Sequence, residues 1–211
     1  MDSKEHIDLR TYIFIDSLQL QMASYLSTVS RGYLPVGGQS CCIIEIAPGI
    51  EINTLTDVAL KATRVTPGMQ IVERAFGMLE VHSDDQGETR MAGQAVLKSI
   101  GKNEDDRIKP RILTSQLIKN VEDHHAQLIN RTRQGMMLLK SDTLFVLEVE
   151  PAGYAYYAAN EAEKSARINI VDVMGFGKFG RIYIAGNEAD VLECKINVEK
   201  RLTEITGRQS Y

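Results

Sequence analysis

The stretch AANEAEKSARINIVDVMGFGKFGRIYIAG, residues 158–186, decides the fold. Its first third is rich in Ala, Glu and Lys, which favour a helix. The runs INIVDVM and RIYIAG that follow are rich in β-branched residues and are typical of strands. The glycine-rich segment between them suits a tight turn. The stretch therefore predicts a helix followed by a hairpin of two strands.

The turn GFGKFG, residues 175–180, also fits the G-x-G-x-x-G fingerprint of dinucleotide-binding loops. Such a loop needs a helix directly after it, because the helix N-terminus meets the phosphates. Here a strand follows instead. Glu199, about 20 residues further on, where a ribose-binding acid is expected, falls inside a predicted helix. We therefore expect no cofactor, and a nucleotide-dependent enzyme remains only as an alternative.

The same order of predicted elements occurs twice along the chain. A strand at TYIFID leads into a helix, a strand at CCIIEIAPG, a second helix, two strands around VERAFG and a third helix. The polar segment GKNEDDRIKP, residues 101–110, is interpreted as a linker. The order then starts again at RILTSQLI. We predict an α+β fold with two domains, 1–104 and 105–211.

Residue identities support an internal repeat. With a fixed shift of 103 and no gap, Gly32–Gly77 lies over Gly135–Gly180, and eight of 46 positions are identical, where average composition would give roughly three. We call two residues that differ by 103 repeat equivalents. The identical pairs are Gly32/Gly135, Glu45/Glu148, Pro48/Pro151, Ala59/Ala162, Lys61/Lys164, Arg64/Arg167, Phe76/Phe179 and Gly77/Gly180.

Composition excludes several classes of protein. The 211 residues are 44% apolar with a formal charge of −4, so no basic surface for nucleic acid is expected. No apolar run approaches the roughly 20 residues of a membrane span. The first ten residues, MDSKEHIDLR, have no apolar core, so we expect no signal peptide and a cytosolic chain. Its three cysteines (Cys41, Cys42, Cys194) are then expected to be reduced.

No catalytic or metal-binding constellation is recognisable in the sequence. His124 and His125 are adjacent, and adjacent residues of a helix do not share a face, so we interpret them as surface residues. No Ser/His/Asp or Cys/His spacing indicates a nucleophile. We expect no enzyme activity and no bound metal.

The second repeat resembles the bacterial microcompartment (BMC) shell domain. The residues that carry the resemblance are AANEAEKSARINIVDVMGFGKFGRIYIAGNEADVLECKINVEKRL, and TDVALKATRV matches more loosely in the first repeat. Each repeat begins with the strand–helix pair that ends an ordinary domain of this family, which is a circularly permuted order. Across nearly the whole chain the sequence is similar to the permuted tandem-domain shell proteins of carboxysomes (the CcmP type). The matching segments are LRTYIFIDSLQ, VSRGYLP, IVERAFG, EPAGYAYYAANEAEKSA and FGKFGR.

The resemblance implies a fold and an assembly. Each repeat would be a ferredoxin-like α+β domain, with helices on one face of a sheet. Three chains would form a ring of six domains, a pseudohexamer that tiles a shell facet beside other carboxysome shell proteins. Two trimers can stack face to face around a chamber. The chain would then lie in the carboxysome shell of the bacterial cytoplasm.

The resemblance also implies a gated pore on the threefold axis. Glu73 and Arg74 of VERAFG would line it, beside the second turn with Gly175, Phe176 and Gly177. Adjacent residues of an extended backbone point to opposite sides, so a peptide flip could exchange the side chain that faces the axis. We expect Arg74 to block the pore when it faces the axis. Arg suits anions such as phosphorylated sugars or acids, for example ribulose bisphosphate or phosphoglycerate.

The family place of the helix lysine is the tiling edge. Lys61 and Lys164 occupy it here, with Arg64 and Arg167 beside them. The ordinary alternative is that they are solvated surface side chains. A second alternative for the whole chain is a regulatory module of two ferredoxin-like repeats that binds a small molecule and does not tile.

Overall fold

The computed structural model describes residues 7–210 and contains two four-stranded sheets with helices packed on them. Residues 1–6, on which part of the signal-peptide prediction rests, and Tyr211 lie outside the described residues. The elements in chain order are β1 (Asp8–Ile15), α1 (Leu20–Val29), β2 (Ser40–Ala47), α2 (Ile52–Ala62), β3 (Thr66–Glu73), β4 (Phe76–Ser83), α3 (Gln86–Ser99), β5 (Arg111–Ile118), α4 (Asp123–Asn130), β6 (Thr143–Glu150), α5 (Tyr154–Ser165), β7 (Asn169–Met174), β8 (Gly180–Gly186) and α6 (Glu188–Glu204).

The first sheet has the strand order β1-β2-β4-β3, and every pairing is antiparallel. Alternate residues of its central strands, such as Ile44 and Leu79, point to one face. Helices α2 and α3 cover that face with apolar side chains that include Leu55 and Val96. The amphipathic periodicity of the two helices is therefore satisfied by one core on one side of the sheet.

The second sheet repeats this order as β5-β6-β8-β7. Lys195 of α6 lies over the Phe145 ring of β6, so this face carries α6. The residue before Phe145, Leu144, points to the other face and shares a cluster with Ala126 of α4. Helices therefore lie on both faces of this sheet. The expected arrangement had helices on one face only, and it differs because Leu144, Val171 and Ala185 make the second face apolar as well.

The two sheets share irregularities of the backbone as well as strand order. The β1–β2 ladder slips between Leu9 and Thr11, and the β5–β6 ladder slips at the repeat equivalents Ile112 and Thr114. A second slip, in β3, also has its equivalent in β7. Bulges are local features set by sequence and packing, so their agreement supports the internal repeat independently of residue identities.

One glycine pair of the repeat, Gly77 and Gly180, marks close approaches between backbones. A side chain at Gly77 would overlap the carbonyl oxygen of Gly49, and one at Gly180 would overlap that of Ala152, the repeat equivalent of Gly49. Each glycine is the first or second residue of the second strand of its hairpin, where that strand meets the segment that leads into α2 or α5. Only a residue without a Cβ atom allows this approach.

The two compact units of the structure are not contiguous in sequence. The first contains the described residues up to Leu18, Ser30–Lys109 and the residues from Thr206 onward. The second contains Gln19–Val29 and Pro110–Ile205. Helix α1, which lies in the predicted domain 1–104, thus packs with the residues of the second unit, whereas the C-terminal residues return to the first. The division at 104/105 remains a description of the sequence repeats.

The segment interpreted as a linker is an ordered part of the first unit. Asn103 caps a short 3₁₀ turn, Glu104–Asp106. The Arg107 guanidinium, which is buried, donates to the carbonyl oxygens of Tyr12 at 3.0 Å and Thr206 at 2.9 Å. These bonds explain why the C-terminal residues belong to the first unit, and why a polar segment that ends in Pro is not a flexible linker here.

The cysteines and the helices test two predictions made from composition: that the thiols are reduced and that the chain has no membrane span. All three cysteines are buried free thiols, as predicted. No helix within residues 7–210 is both long and apolar enough to cross a membrane.

Substitution of Gly180 tests the close approach. We expect Gly180→Ala to lower the free energy of unfolding by about 2 kcal/mol, because its Cβ would overlap backbone that cannot move aside. Gly186→Ala in the same strand is the control, since its Cβ would lie 3.4 Å from Val191, an ordinary contact. Urea unfolding at one protein concentration measures both, and equal stabilities would contradict the interpretation.

Candidate functional site

The first candidate turn joins β3 to β4 through two residues, Arg74 and Ala75. Glu73 and Phe76 pair across the ladder, so the loop of this hairpin has two residues, the commonest length for a tight hairpin. Arg74 has a φ of 50°, in the left-handed region that glycine usually occupies. An L-residue in that region costs roughly 1–2 kcal/mol. The backbone of the predicted gate is therefore strained at Arg74.

The second candidate turn joins β7 to β8 and contains the predicted Gly175, Phe176 and Gly177. Gly177 is the repeat equivalent of Arg74, and its φ is 95°. Both turns thus place a left-handed residue at the same position. The second repeat fills that position with glycine at no steric cost, whereas the first repeat fills it with arginine.

The side chains of the first turn differ in their surroundings. Arg74 is exposed and Glu73 is half-buried. The Oε2 atom of Glu73 is buried and has no hydrogen-bond partner within residues 7–210. A buried carboxylate oxygen without a donor is unfavourable, so this atom calls for a donor from outside the described chain.

The glycine at the start of the second turn has a packing role that the sequence did not reveal. A Cβ at Gly175 would overlap the Tyr156 ring of α5, so this tyrosine supports the turn. Tyr156 is fully buried. Its repeat equivalent is Asn53, which has no ring to support the first turn in this way.

The predicted edge residues occupy equivalent places but have different partners. Lys61, in the last turn of α2, pairs with Asp57 at 2.6 Å and its side chain is 76% exposed. Lys164, in the last turn of α5, pairs with Glu161 at 3.0 Å and its side chain is only 30% exposed. Arg64 and Arg167 are both exposed, just beyond the two helices.

The remaining polar candidates have structural partners. Glu122 caps α4 by accepting hydrogen bonds from the N–H groups of His124 and His125, and both histidines are exposed. Burial raises the pKa of Glu199, but hydrogen bonds from Lys195 and Ser115 outweigh this effect and lower the pKa below its usual value. Glu199 lies inside α6, and GFGKFG is followed by β8, as the sequence predicted. Within residues 7–210, no group of three His, Cys, Asp or Glu side chains is placed to hold a metal ion.

A cleft beside α4 carries no free cation for an anionic ligand. Its lining includes His125, Asp172 and Arg181. Arg181 donates to Glu148 at 2.7 Å, so its charge is already balanced within the unit. The turns therefore remain the better candidates for contact with anions.

Comparison with known proteins agrees with the fold. The family model described as the CsoS1D N-terminal domain matches residues 9–106. The carboxysome shell protein CcmP of Synechococcus elongatus is 51% identical over 96% of this chain and 95% of its own length. The carboxysome shell protein CsoS1D of Hydrogenovibrio crunogenus is 45% identical over 96% of this chain and 99% of its own length.

Two solved structures from the RMM microcompartment share the fold over their whole length. A fused permuted hexameric shell protein has a TM-score of 0.93 at 44% identity, and it covers 96% of this chain. A double-ringed trimeric shell protein has a TM-score of 0.94 at 39% identity, and it covers 97%. Fold and comparisons together define a microcompartment shell protein of two permuted α+β domains in tandem. Within that class, the chain belongs to the carboxysome shell protein family of CcmP and CsoS1D.

The strain at Arg74 can be tested by exchanging residues between the turns. We expect Arg74→Gly to raise the free energy of unfolding by about 0.5–1 kcal/mol, the relieved strain minus the greater chain entropy of glycine. Gly177→Ala should lower it by about 1 kcal/mol. Chemical unfolding at a fixed protein concentration measures both. A loss of stability in Arg74→Gly would show that its φ is not strained.

Proposed function

We propose that three chains form a pseudohexameric tile of the carboxysome facet, with a gated pore at the threefold axis lined by Glu73 and Arg74. The observation that carries the proposal is the buried, unpartnered Oε2 atom of Glu73 beside an exposed Arg74. Around a threefold axis, the arginine of one copy can supply the donor that the glutamate of the next copy lacks. A structural and not a catalytic role is part of this proposal.

The proposed ring follows from two equal domains in one chain. Three chains bring six domains with the same strand order around an axis, and the names of the two solved relatives describe a hexameric and a trimeric shell protein. Two different turns then alternate around the centre. Membership of a shell protein family favours this assembly over the regulatory module that does not tile.

The gate works through the strained backbone at Arg74. A left-handed arginine is held about 1–2 kcal/mol above its relaxed state, a gap that a few intersubunit contacts can offset. Two arrangements of the Glu73–Arg74 peptide are then close in free energy, which is the condition for a switch. In the closed arrangement Arg74 faces the axis and pairs with glutamates of neighbouring copies. Rotation of both side chains away from the axis opens the pore, and Gly177 of the second turn leaves room for the movement.

The cargo that suits such a pore is a small anion with several oxygen acceptors. Arginine binds phosphate and carboxylate groups through two parallel hydrogen bonds, and it keeps its charge at all physiological pH values. Phosphorylated sugars or acids, such as ribulose bisphosphate or phosphoglycerate, have this chemistry. No cofactor is needed for passage through a pore.

The outer edges of the tile are proposed at Lys61 and Lys164, with Arg64 and Arg167 beside them. The exposed pair between Lys61 and Asp57 contributes little stability, so this lysine can turn to a neighbouring tile at small cost. The partly covered Lys164 is more firmly held by Glu161. The two edges of one chain therefore differ in their freedom to make lateral contacts.

Two trimers are proposed to stack through loops that expose apolar side chains. Each repeat has such a loop after its first helix, and the exposed residues are repeat equivalents. They are Tyr33, Leu34 and Val36 in the first repeat and Met136, Met137 and Leu139 in the second, each at least 50% exposed. A ring of such loops is an apolar surface that a second ring can cover.

The gate is tested by permeation into assembled shells that contain an enzyme for a phosphorylated substrate. We expect Arg74→Ala to raise the rate of substrate entry roughly tenfold, since contacts worth about 1.4 kcal/mol no longer favour the closed state. Glu73→Ala should also change the rate, because it removes the acceptor. Lys98→Ala, an exposed cation on α3, is the control. Equal rates in all variants would refute the gate.

The edges are tested by electron microscopy of the purified protein. We expect Lys61→Ala to convert flat sheets into separate particles at unchanged stability, because the ion pair that Lys61 makes with Asp57 is exposed. Lys164→Ala should reduce tiling and also lower the melting temperature slightly, since Glu161 is buried and loses one cation. Side views report stacking in the same images. Intact sheets from the double variant would remove the edge role.

A further inference from the structure

Helix α1 docks on the second unit through polar contacts, although its sequence belongs to the first repeat. The Glu163 carboxylate of α5 accepts hydrogen bonds from the backbone N–H groups of Gln21 and Met22, at 2.9 and 3.0 Å. Further along α1, the Tyr25 hydroxyl lies 2.9 Å from the Asp172 carboxylate of β7. These contacts satisfy the free N–H groups at the start of α1 and fix the helix against α5 and β7.

The repeat equivalent of α1 is α4, and its matching face is exposed. Met22 and Tyr25 are buried, whereas Leu128, the equivalent of Tyr25, is 61% exposed. The two N–H groups that Glu163 satisfies in α1 are satisfied in α4 by its own cap, Glu122. The equivalences along the two helices are Gln21/His124, Met22/His125 and Tyr25/Leu128.

The surface that corresponds to the docking site of α1 lies on α2 and β3 of the first unit. The equivalents across the two surfaces are Asn160/Asp57, Glu163/Leu60 and Val173/Gln70. Asn160 is fully buried, whereas the side chain of Asp57 is 60% exposed. Leu60 is 38% exposed, and Gln70 is exposed where Val173 is buried. The same patch is therefore covered in the second unit and open in the first.

The residue exchanges on these two open surfaces match each other. Leu60 replaces the capping carboxylate, at the place where α4 carries its own cap. The hydrogen-bonding residue Tyr25 becomes the exposed Leu128, and its partner Asp172 becomes Met69, which is apolar and buried within the first unit. A change on one side alone would leave a polar group unpaired on the other, which is costly. Both sides change together, as expected for surfaces that meet.

We infer that α4 of one copy of the chain docks on α2 and β3 of the next copy, with Leu128 and Leu60 in the contact. The inference rests on the proposed trimer and specifies the surfaces that join its chains. Helix α1 is held in the second unit by hydrogen bonds and by the Glu163 cap, whereas the contact between chains is made by the apolar Leu128 and Leu60, beside the polar Asp57 and Gln70. Apolar contacts are not screened by salt, so the trimer should persist at high ionic strength.

Cross-linking of the double variant Leu60→Cys, His124→Cys tests this junction. The equivalent residues, Glu163 and Gln21, are joined by a hydrogen bond, so a short bismaleimide should bridge the new cysteines of neighbouring copies. We expect denaturing gels to show bands with the masses of two and three chains. The native cysteines are buried, and burial raises the pKa of the Cys194 thiol to about 12, so they should not react. The two single variants are the controls.

The outcomes separate the junction from the ring. If the protein has the mass of a trimer in solution but yields only single-chain bands, the junction is wrong and the ring stands. If the unmodified protein has the mass of one chain, the ring itself is wrong. Bands at two and three chain masses from the double variant alone support the junction.

A substitution at Leu128 provides a second, independent readout by light scattering. We expect Leu128→Arg to weaken trimer formation about tenfold or more, because a charge would be buried without a partner. Leu128→Tyr restores the residue found in α1 and should keep the trimer. Ile196→Arg, at an apolar site of α6 that is 60% exposed, is the matched control. Equal losses from Leu128→Arg and Ile196→Arg would contradict the inference.

Discussion

The close approach of Gly77 to Gly49, repeated by Gly180 and Ala152, is the constraint on which the candidate site depends. It holds the end of each hairpin against the segment that leads into α2 or α5, since no side chain fits between the two backbones. The hairpin turns project from this anchored point. The position of Glu73 and Arg74 relative to their sheet is therefore set by buried backbone contacts and not by the turn itself. A strained turn can change conformation there while the sheet stays in place.

One backbone thus carries two sets of side chains with different tasks. The left-handed position holds Arg74 in one repeat and Gly177 in the other, at φ values of 50° and 95°. Glycine adopts this conformation without strain, whereas arginine is strained in it but places a positive charge at the turn. The strain has no packing benefit within the described chain, because Arg74 is exposed. Backbone strain of this kind is common at functional positions, and it is one of the reasons for proposing a pore gate at this turn.

Much of this could be predicted from the sequence, because the informative signals are local or repeated. Strand periodicity, the order of elements and the equivalence of Gly77 and Gly180 all follow from the residues themselves. The placement of α1 in the second unit could not be predicted, since it depends on Glu163 and Asp172, more than 100 residues away. The ordered conformation of residues 101–110 could not be predicted either, because it depends on hydrogen bonds from Arg107 to Tyr12 and Thr206, which are distant in the sequence. The positive φ of Arg74 gives no signal in a single sequence, although alignment of the repeats places it over a glycine.

Fusion of two domains in one chain explains why the repeats have diverged at these positions and not in their backbones. A ring of six identical chains would need the same turn and the same junction six times. In a ring of three chains with two domains each, only every second domain must have the same sequence, so neighbouring domains can differ. Arginine at three turns can then alternate with glycine at three others, so cations approach the axis without crowding six like charges together. In the proposed ring, the same freedom allows Glu163 to cap α1, while Leu60 offers an apolar contact to the next chain. Threefold symmetry in place of sixfold is thus the condition for a central gate that has both charged residues and room to move.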